Sequence, residues 1–439
     1  MYFEAKYETM GRGDLEQLQL ERLQSVLTRV ARNVPYYRKK FDELGIDPDD
    51  FRDLSDVSRL PFTDKGVLQD NYPYGLFAVP LREVVRLHAS PGSAGKPVVV
   101  GYTVNDIKRW SDLTARVLAA GGATRDDVVQ IAFDYGLFTG GLGFHEGAQR
   151  LGAAVIPASG GNSRRQVMIM QDYKTTALAS TPSYALHLAG VMDEMGINAN
   201  SLSLRFGLFG GEALSEAMRR EIEARLKLTA TQNYGPTEVM GPGVAGECEA
   251  RGGMHVNEDH FLAEIVDPAT GKALPEGEPG ELVLTSLTKD AFPVIRYRTG
   301  DVTRLLPGDC PCGRTFARLD RMLGRTDDML LIRGVPVFPG TIEATLSQMP
   351  GGAPEYRVIV EREGALDTAT VLIETSEDIF FDQMRRQKEF VDSIKRKLHS
   401  SAGVAFEVRL VEHCDAVQGA APGAGGSARA KVIDRRAAA

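Results

Sequence analysis

The sequence predicts an α/β protein in two parts. A large N-terminal domain, 1–325, carries parallel-rich sheets plus a smaller β subdomain, and a small C-terminal α/β domain occupies 326–439. Three observations predict this. Between Val98 and Leu226, short apolar or β-branched runs alternate with longer runs of helical periodicity, which is the pattern of parallel βα units. After Tyr234 that alternation stops and turn-rich apolar runs replace it. At Gly324-Arg325-Thr326-Asp327-Asp328 a new apolar run, Met329-Leu330-Leu331-Ile332, opens a shorter α/β stretch. A chain of 439 residues is long enough for two or more domains and a large core.

The elements follow in order. Leu15 to Phe41 repeats Leu18, Leu20, Leu23, Val26, Leu27 and Val30 at helical spacing, and Val34-Pro35 ends or bends the helix. Leu60-Pro61-Phe62-Thr63-Asp64-Lys65 starts a new segment, with Thr63 as the expected N-cap. Val84–His88 and Val98–Val100 read as strands around a tight loop. A helix is expected from Thr103 to about Ala120, and a strand at Val128–Ala132. Tyr135–Gly143 reads as a glycine-rich turn before a helix to Leu151. Strands at Ala153–Pro157, Ala177–Ser180 and Leu204–Phe209 alternate with helices at Val167–Tyr173, Ser183–Met195 and Ser215–Leu226. Phe261–Val266 and Gly280–Leu287 are expected to pair antiparallel across turn-rich connections. Gly419–Ser427 reads as a flexible loop.

Composition narrows the function. A net charge of −8 argues against a general nucleic-acid binder. No apolar run is long enough to span a membrane, and Met1–Lys6 lacks the apolar stretch of a secretory signal. Four cysteines do not make a disulfide framework, so a cytoplasmic protein is expected.

The loop Ala89-Ser90-Pro91-Gly92-Ser93-Ala94-Gly95-Lys96-Pro97 is suited to an anion. Its glycines let the backbone close around phosphate oxygens, its serines offer hydroxyls, and Lys96 adds charge. It is not a P-loop, because a β-branched strand rather than a helix follows the lysine. Asn233-Tyr234-Gly235-Pro236-Thr237-Glu238 places an aromatic plate, a hydroxyl and a carboxylate together, fit for a base, a phosphate and a magnesium ion. Tyr297-Arg298-Thr299-Gly300-Asp301 supplies a carboxylate able to accept both hydroxyls of a ribose. Gly210-Gly211-Glu212 follows a strand end, where open α/β sheets place ligands.

Taken together, these motifs resemble the adenylate-forming enzymes, and specifically the phenylacetate–coenzyme A ligase family. Longer strings carry the closer likeness: Leu60–Lys65, Tyr74–Pro80, Tyr135–Gly143 and Val239–Ala245. The resemblance spans nearly the whole chain. It implies an adenylate-forming N-terminal domain and a mobile C-terminal domain that turns about Asp327. It implies that ATP and an aromatic carboxylic acid form an acyl-adenylate, whose acyl group passes to coenzyme A. Alternatives are transfer to an amine or carrier protein, or binding without turnover.

By the same resemblance Ser90, Ser93 and Lys96 would touch the phosphates, with Gly211, Glu212, Tyr234 and Gly235 at the nucleotide. Thr237 would bond the α-phosphate, Glu238 would bind Mg²⁺, and Asp301 with Arg325 would hold the ribose. Tyr135, Gly136, Phe138, Gly211 and Pro236 would surround the acid. A homodimer is implied, with no membrane or nucleic-acid partner. The chain departs from the family in two places. Pro91, Ser93 and Ala94 replace a serine and two threonines of the phosphate loop. Ala428 stands where the adenylation lysine belongs, so Lys431, or else Arg429, is the candidate replacement.

Cys248, His255, Cys310 and Cys312 form a second constellation. Soft and borderline ligands in this number suit a tetrahedral, structural Zn²⁺, with His260 as an alternative fourth ligand.

Overall fold

The computed structural model describes residues 1–90, 97–326, 330–337, 339–347, 355–363, 366–374, 384–411 and 432–436. Pro91–Lys96, Asp327, Asp328, Ala428, Arg429 and Lys431 lie outside them, so the candidates Ser93, Lys96, Asp327 and Lys431 have no described position. The chain divides into two compact units, one of Met1–Ser90 with Val98–Thr326 and the other following Thr326.

The larger unit is organised on a nine-stranded sheet. Starting from one edge, the strands Ala154–Ile156, Val128–Ile131, Ala177–Ser180, Phe206–Phe209 and Thr229–Tyr234 run parallel in that spatial order. Residues 177–180 and 206–209 are buried throughout, which explains their continuous apolar character. The sheet then continues antiparallel through Ala245–Glu247, Met254–Val256, Arg318–Leu319 and Leu305–Leu306. The texture change after Tyr234 is therefore a change of strand direction within one sheet. Strands of two or three residues carry too little periodicity to be read from sequence.

A separate four-stranded antiparallel sheet holds Phe261–Val266, Gly280–Ser286, Tyr297–Thr303 and Gly324–Arg325, pairing the first two strands as expected. Arg86–Ser90 and Val98–Tyr102 form an antiparallel pair whose register brings Ser90 opposite Val98.

The helices follow capping chemistry. Val104–Ala120 begins with a reciprocal capping box between Thr103 and Asp106. Arg12–Asn33 and Pro35–Leu44 are separate helices, because Pro35 starts the second where its missing N–H costs nothing. Two expectations are corrected. The N-cap of Lys65–Asp70 is Asp64, whose carboxylate takes the Val67 amide. Thr63 instead points inward, between the Tyr37 hydroxyl and the Ile295 carbonyl. The expected turn at Tyr135–Gly143 already becomes helix at Gly140. A Cβ at Gly143 would sit 2.6 Å from Trp110, and one at Gly147 2.6 Å from Thr114. These glycines therefore let the helix lie against its neighbour.

The second unit contains a hairpin, Leu330–Ile332 with Val335–Val337, and a four-stranded sheet in the order Glu407–Val411, Leu366–Glu374, Tyr356–Glu363, Val432–Asp434. The last strand is parallel to its neighbour, with Ile433 opposite Ile359. Pro339–Ser347 and Met384–Ala402 are its helices. Among the described residues, no helix is long and apolar enough to cross a membrane.

Candidate functional site

The parallel strands deliver the site. Ser180, Phe209 and Tyr234 end three neighbouring strands, so the segments that follow them gather at one sheet edge, where α/β sheets bind ligands. Gly211 takes φ +78°, a conformation suited to glycine, as the chain leaves its strand. Glu212 then accepts the Ser183 amide at 3.2 Å and hydroxyl at 2.8 Å, beside the start of helix Pro182–Glu194.

The segment after Tyr234 is tightly wound. The Pro236 carbonyl accepts the amides of Val239, Met240 and Gly241. A Cβ on Gly235 would lie 1.7 Å from the Gly241 carbonyl oxygen, so only glycine fits. The Thr237 and Thr139 hydroxyls meet at 3.0 Å, both buried. The Ser90 hydroxyl donates to Glu238 at 2.7 Å, joining the end of the strand before the glycine loop to the predicted magnesium ligand.

Tyr234, Asp301 and Arg325 make a second group. The Tyr234 hydroxyl donates to Asp301 at 2.6 Å, and Arg325 pairs with the other carboxylate oxygen. Asp301 and Arg325 face each other across adjacent strands, and Arg325 also bonds the Thr299 carbonyl at 2.9 Å. Burial, reinforced by Asp301, pushes the Tyr234 hydroxyl well above its ordinary pKa, so it stays a donor.

The predicted acid-binding loop leans on the same strand as Ser90. The Leu137 carbonyl accepts the Ala89 amide and the His88 ring, each at 2.9 Å. Tyr135 contacts His145 at 3.2 Å, and burial raises its pKa. Open space surrounds the position a Gly136 Cβ would take. Residues not anticipated from sequence are Thr139, Ser183 and His88, whose only signal was a polar side chain beside apolar residues, and Lys289, which lies between polar neighbours.

A separate cluster joins Cys248, His255, Cys310 and Cys312, whose ligating atoms all lie within 4.8 Å of one another. The Cys248 and Cys310 sulfurs are 3.6 Å apart, and Cys312 Sγ lies 3.4 Å from His255 Nε2. His255 Nδ1 donates to the Phe316 carbonyl at 3.2 Å, which turns the lone pair of Nε2 toward the sulfurs. Burial lowers His255 to about 4, so it is neutral at pH 7, as a ligand must be. Burial, with the neighbouring Cys312 and Cys310, pushes the Cys248 thiol up to about 12. Burial raises the Cys312 thiol, but hydrogen bonds from Arg314, Cys310 and Cys248 together outweigh it and favour thiolate. The alternative ligand His260 is excluded, since its ring is engaged with Thr288 at 2.6 Å and Asp259 at 3.3 Å.

Comparison with known proteins places this geometry. Residues 91–288 match the AMP-binding enzyme family and 334–436 the AMP-binding enzyme C-terminal domain. Phenylacetate–coenzyme A ligase of Thermus thermophilus is 46% identical over 99% of this chain and 100% of its own. The Escherichia coli enzyme of the same name is 48% identical over 92% of each chain. The crystal structure of 2-hydroxyisobutyryl-CoA ligase, in complex with 2-HIB-AMP and CoA, superposes with a TM-score of 0.91 at 30% identity. It covers 99% of this chain and 92% of that one. With near-full-length identity of this order and the adenylate-forming fold, the chain belongs to the phenylacetate–coenzyme A ligase family of AMP-binding enzymes.

Proposed function

We propose that this protein uses ATP to activate a phenylacetate-like aromatic acid and transfers the acyl group to coenzyme A. The observation that carries this reading is the 46–48% identity to phenylacetate–coenzyme A ligases across nearly the whole chain. A carboxylate oxygen attacks the α-phosphorus of ATP and pyrophosphate leaves. The thiol of coenzyme A then attacks the acyl carbon, and AMP leaves with the C–O bond electrons.

The residue roles belong to the same proposal. Tyr234 lies against the adenine, Asp301 and Arg325 hold the ribose, and the Thr237 hydroxyl bonds the α-phosphate. Gly211, Glu212 and Gly235 shape the nucleotide's cradle, while Ser90, Ser93 and Lys96 meet the outer phosphates. Glu238 is the carboxylate that would hold Mg²⁺, which neutralises phosphate charge when bound. Tyr135, Gly136, Phe138 and Pro236 flank the aromatic acid. Lys431 replaces the lysine missing at Ala428, and Asp327 is the pivot between the domain 1–325 and the mobile domain 326–439. Positioning and charge neutralisation supply most of the catalysis. A cytoplasmic homodimer completes the reading, and sedimentation tests the dimer.

ATP–pyrophosphate exchange across a panel of acids tests the function. Phenylacetate and benzoate should support exchange better than short aliphatic acids. Acyl-CoA should accumulate only when coenzyme A is present. Equal exchange with acetate or propionate would defeat the aromatic assignment, and transfer to hydroxylamine but not coenzyme A would favour an amine acceptor. In the same assay Lys431→Ala should lose adenylate formation yet keep thioester formation from pre-made adenylate. Loss of neither step removes Lys431 from the mechanism.

The cysteine–histidine cluster is assigned to a structural Zn²⁺. Four protein ligands fill a tetrahedral shell and leave no open position. The expected result is about one zinc per chain by elemental analysis. Cys312→Ser should lower both the zinc content and the melting temperature, because metal binding is coupled to folding. A zinc-free native preparation with unchanged stability rules the assignment out.

A further inference from the structure

Lys289 is 1% exposed and ranks among the largest fully buried side chains. Its backbone is held on both sides. Arg109 bonds the Thr288 carbonyl at 2.6 Å, and Asp106 takes the amides of Asp290 at 2.6 Å and Ala291 at 3.0 Å. Asp290 is itself clamped by Arg29 and Arg109, each at 2.8 Å. From this fixed base the ammonium stands 4.3 Å from the centre of the Tyr102 ring and donates to the Val239 carbonyl at 3.0 Å.

Val239 immediately follows Glu238, and the backbone there is anchored carbonyl by carbonyl. The Tyr102 hydroxyl holds Met240 at 2.7 Å, the Trp110 indole holds Pro242 at 2.8 Å, and the Asn257 amide holds Gly243 at 2.7 Å. Lys289 is the amine of this set and the one bonded next to Glu238; burial lowers its pKa to about 7, so near neutral pH it is partly ammonium and partly neutral amine. A buried ammonium carries a large desolvation cost, which one carbonyl and the faces of Tyr102 and Phe292, 4.3 and 5.7 Å away, do not offset. The acids in its field are Asp106 and Glu238. Asp106 already accepts three backbone amides, from Thr103, Asp290 and Ala291. Glu238 is the carboxylate that accepts from Ser90. A methionine would fill the same volume without the desolvation cost, so packing alone does not account for the lysine.

We infer that Lys289 is a positioning residue for adenylate formation, fixing through the Val239 carbonyl the backbone that aims Glu238 at the metal and phosphates. This rests on the reading of Glu238 as the Mg²⁺ ligand. The amine draws the carbonyl inward in either protonation state and, when protonated, attracts the Glu238 carboxylate, so that its position is set before ATP arrives.

Lys289→Met, Lys289→Arg, Tyr102→Phe and Glu238→Gln are compared by exchange at varied Mg²⁺, with melting temperature measured in parallel. Lys289→Met should melt at or above the wild-type temperature, since an apolar residue replaces a buried charge. Its kcat for exchange should fall roughly tenfold or more and half-saturation by Mg²⁺ should rise, as expected of a displaced ligand. KM for the acid and thioester formation from pre-made adenylate should stay near wild type, and Lys289→Arg should recover much of the loss. A purely structural lysine would instead lower stability and both half-reactions together.

Wild-type exchange and Mg²⁺ dependence in folded Lys289→Met overturn the inference. If that variant fails to fold, Tyr102→Phe, which loosens the adjacent carbonyl, decides. A raised Mg²⁺ requirement supports the inference and an unchanged one overturns it. Normal Mg²⁺ dependence in Glu238→Gln would show that the metal reading itself fails, whereas a defective Glu238→Gln beside a normal Lys289→Met isolates the failure to Lys289.

Discussion

Gly235→Ala is expected to reduce ATP–pyrophosphate exchange by on the order of 100-fold, the scale of an ångström-sized misplacement near reacting groups. The added carbon would lie 1.7 Å from the Gly241 carbonyl oxygen and 3.0 Å from Pro242 Cα, so both obstacles are backbone. No side-chain rotation relieves them. The winding of 235–241 onto the Pro236 carbonyl must open, and Thr237 and Glu238 move with it. Those are the residues assigned to the α-phosphate and the metal, and Thr237 would also leave Thr139. The affected segment lies at the end of a strand, so the parallel core should still form. Far-ultraviolet circular dichroism should be close to wild type while exchange is lost. Gly13→Ala is the matched control, because its added carbon meets nothing within 4 Å. Wild-type exchange by Gly235→Ala would mean that this turn does not carry the adenylation site.

The uneven legibility of the sequence follows from how each feature is encoded. Residues 177–180 and 206–209 are buried on both faces and read as apolar runs. Thr103 and Asp106 announce a helix because both halves of the capping box are local. The nucleotide motifs were visible because each packs its aromatic, hydroxyl and acidic groups into a few residues. What stayed hidden depends on partners far along the chain. Thr63 looked like a cap until Tyr37 and Ile295, distant in sequence, took its hydroxyl. Gly143 looked like part of a turn, but its closeness to Trp110 explains it as a helix contact. His260 stood as an alternative fourth ligand until the fold gave its ring to Thr288 and Asp259. Lys289 gave no local signal, since its partner carbonyl is fifty residues away.

Asp301→Ala should weaken ATP binding by about 1.5–3 kcal/mol, the range for hydrogen bonds to a charged group. That is roughly a 10- to 150-fold rise in dissociation constant by calorimetry. Among the described residues the carboxylate bonds Tyr234 and Arg325. One oxygen accepts from Tyr234, and the other pairs with Arg325 across the strand boundary. Its loss could therefore act on ATP directly, through the ribose, or indirectly, by releasing the Tyr234 ring from its orientation against the base. Tyr234→Phe separates the two, because it keeps the ring and removes only the hydroxyl that Asp301 holds. Indirect action predicts that Tyr234→Phe reproduces most of the loss. Direct action predicts that it does not, and that 2′,3′-dideoxy-ATP binds the wild type about as weakly as ATP binds Asp301→Ala. Combining dideoxy-ATP with Asp301→Ala then adds little, since both remove the same contact and the coupling of the cycle equals the contact itself. Unchanged ATP affinity in Asp301→Ala would remove the ribose assignment, leaving the Tyr234–Asp301–Arg325 group as a brace between strands 297–303 and 324–325.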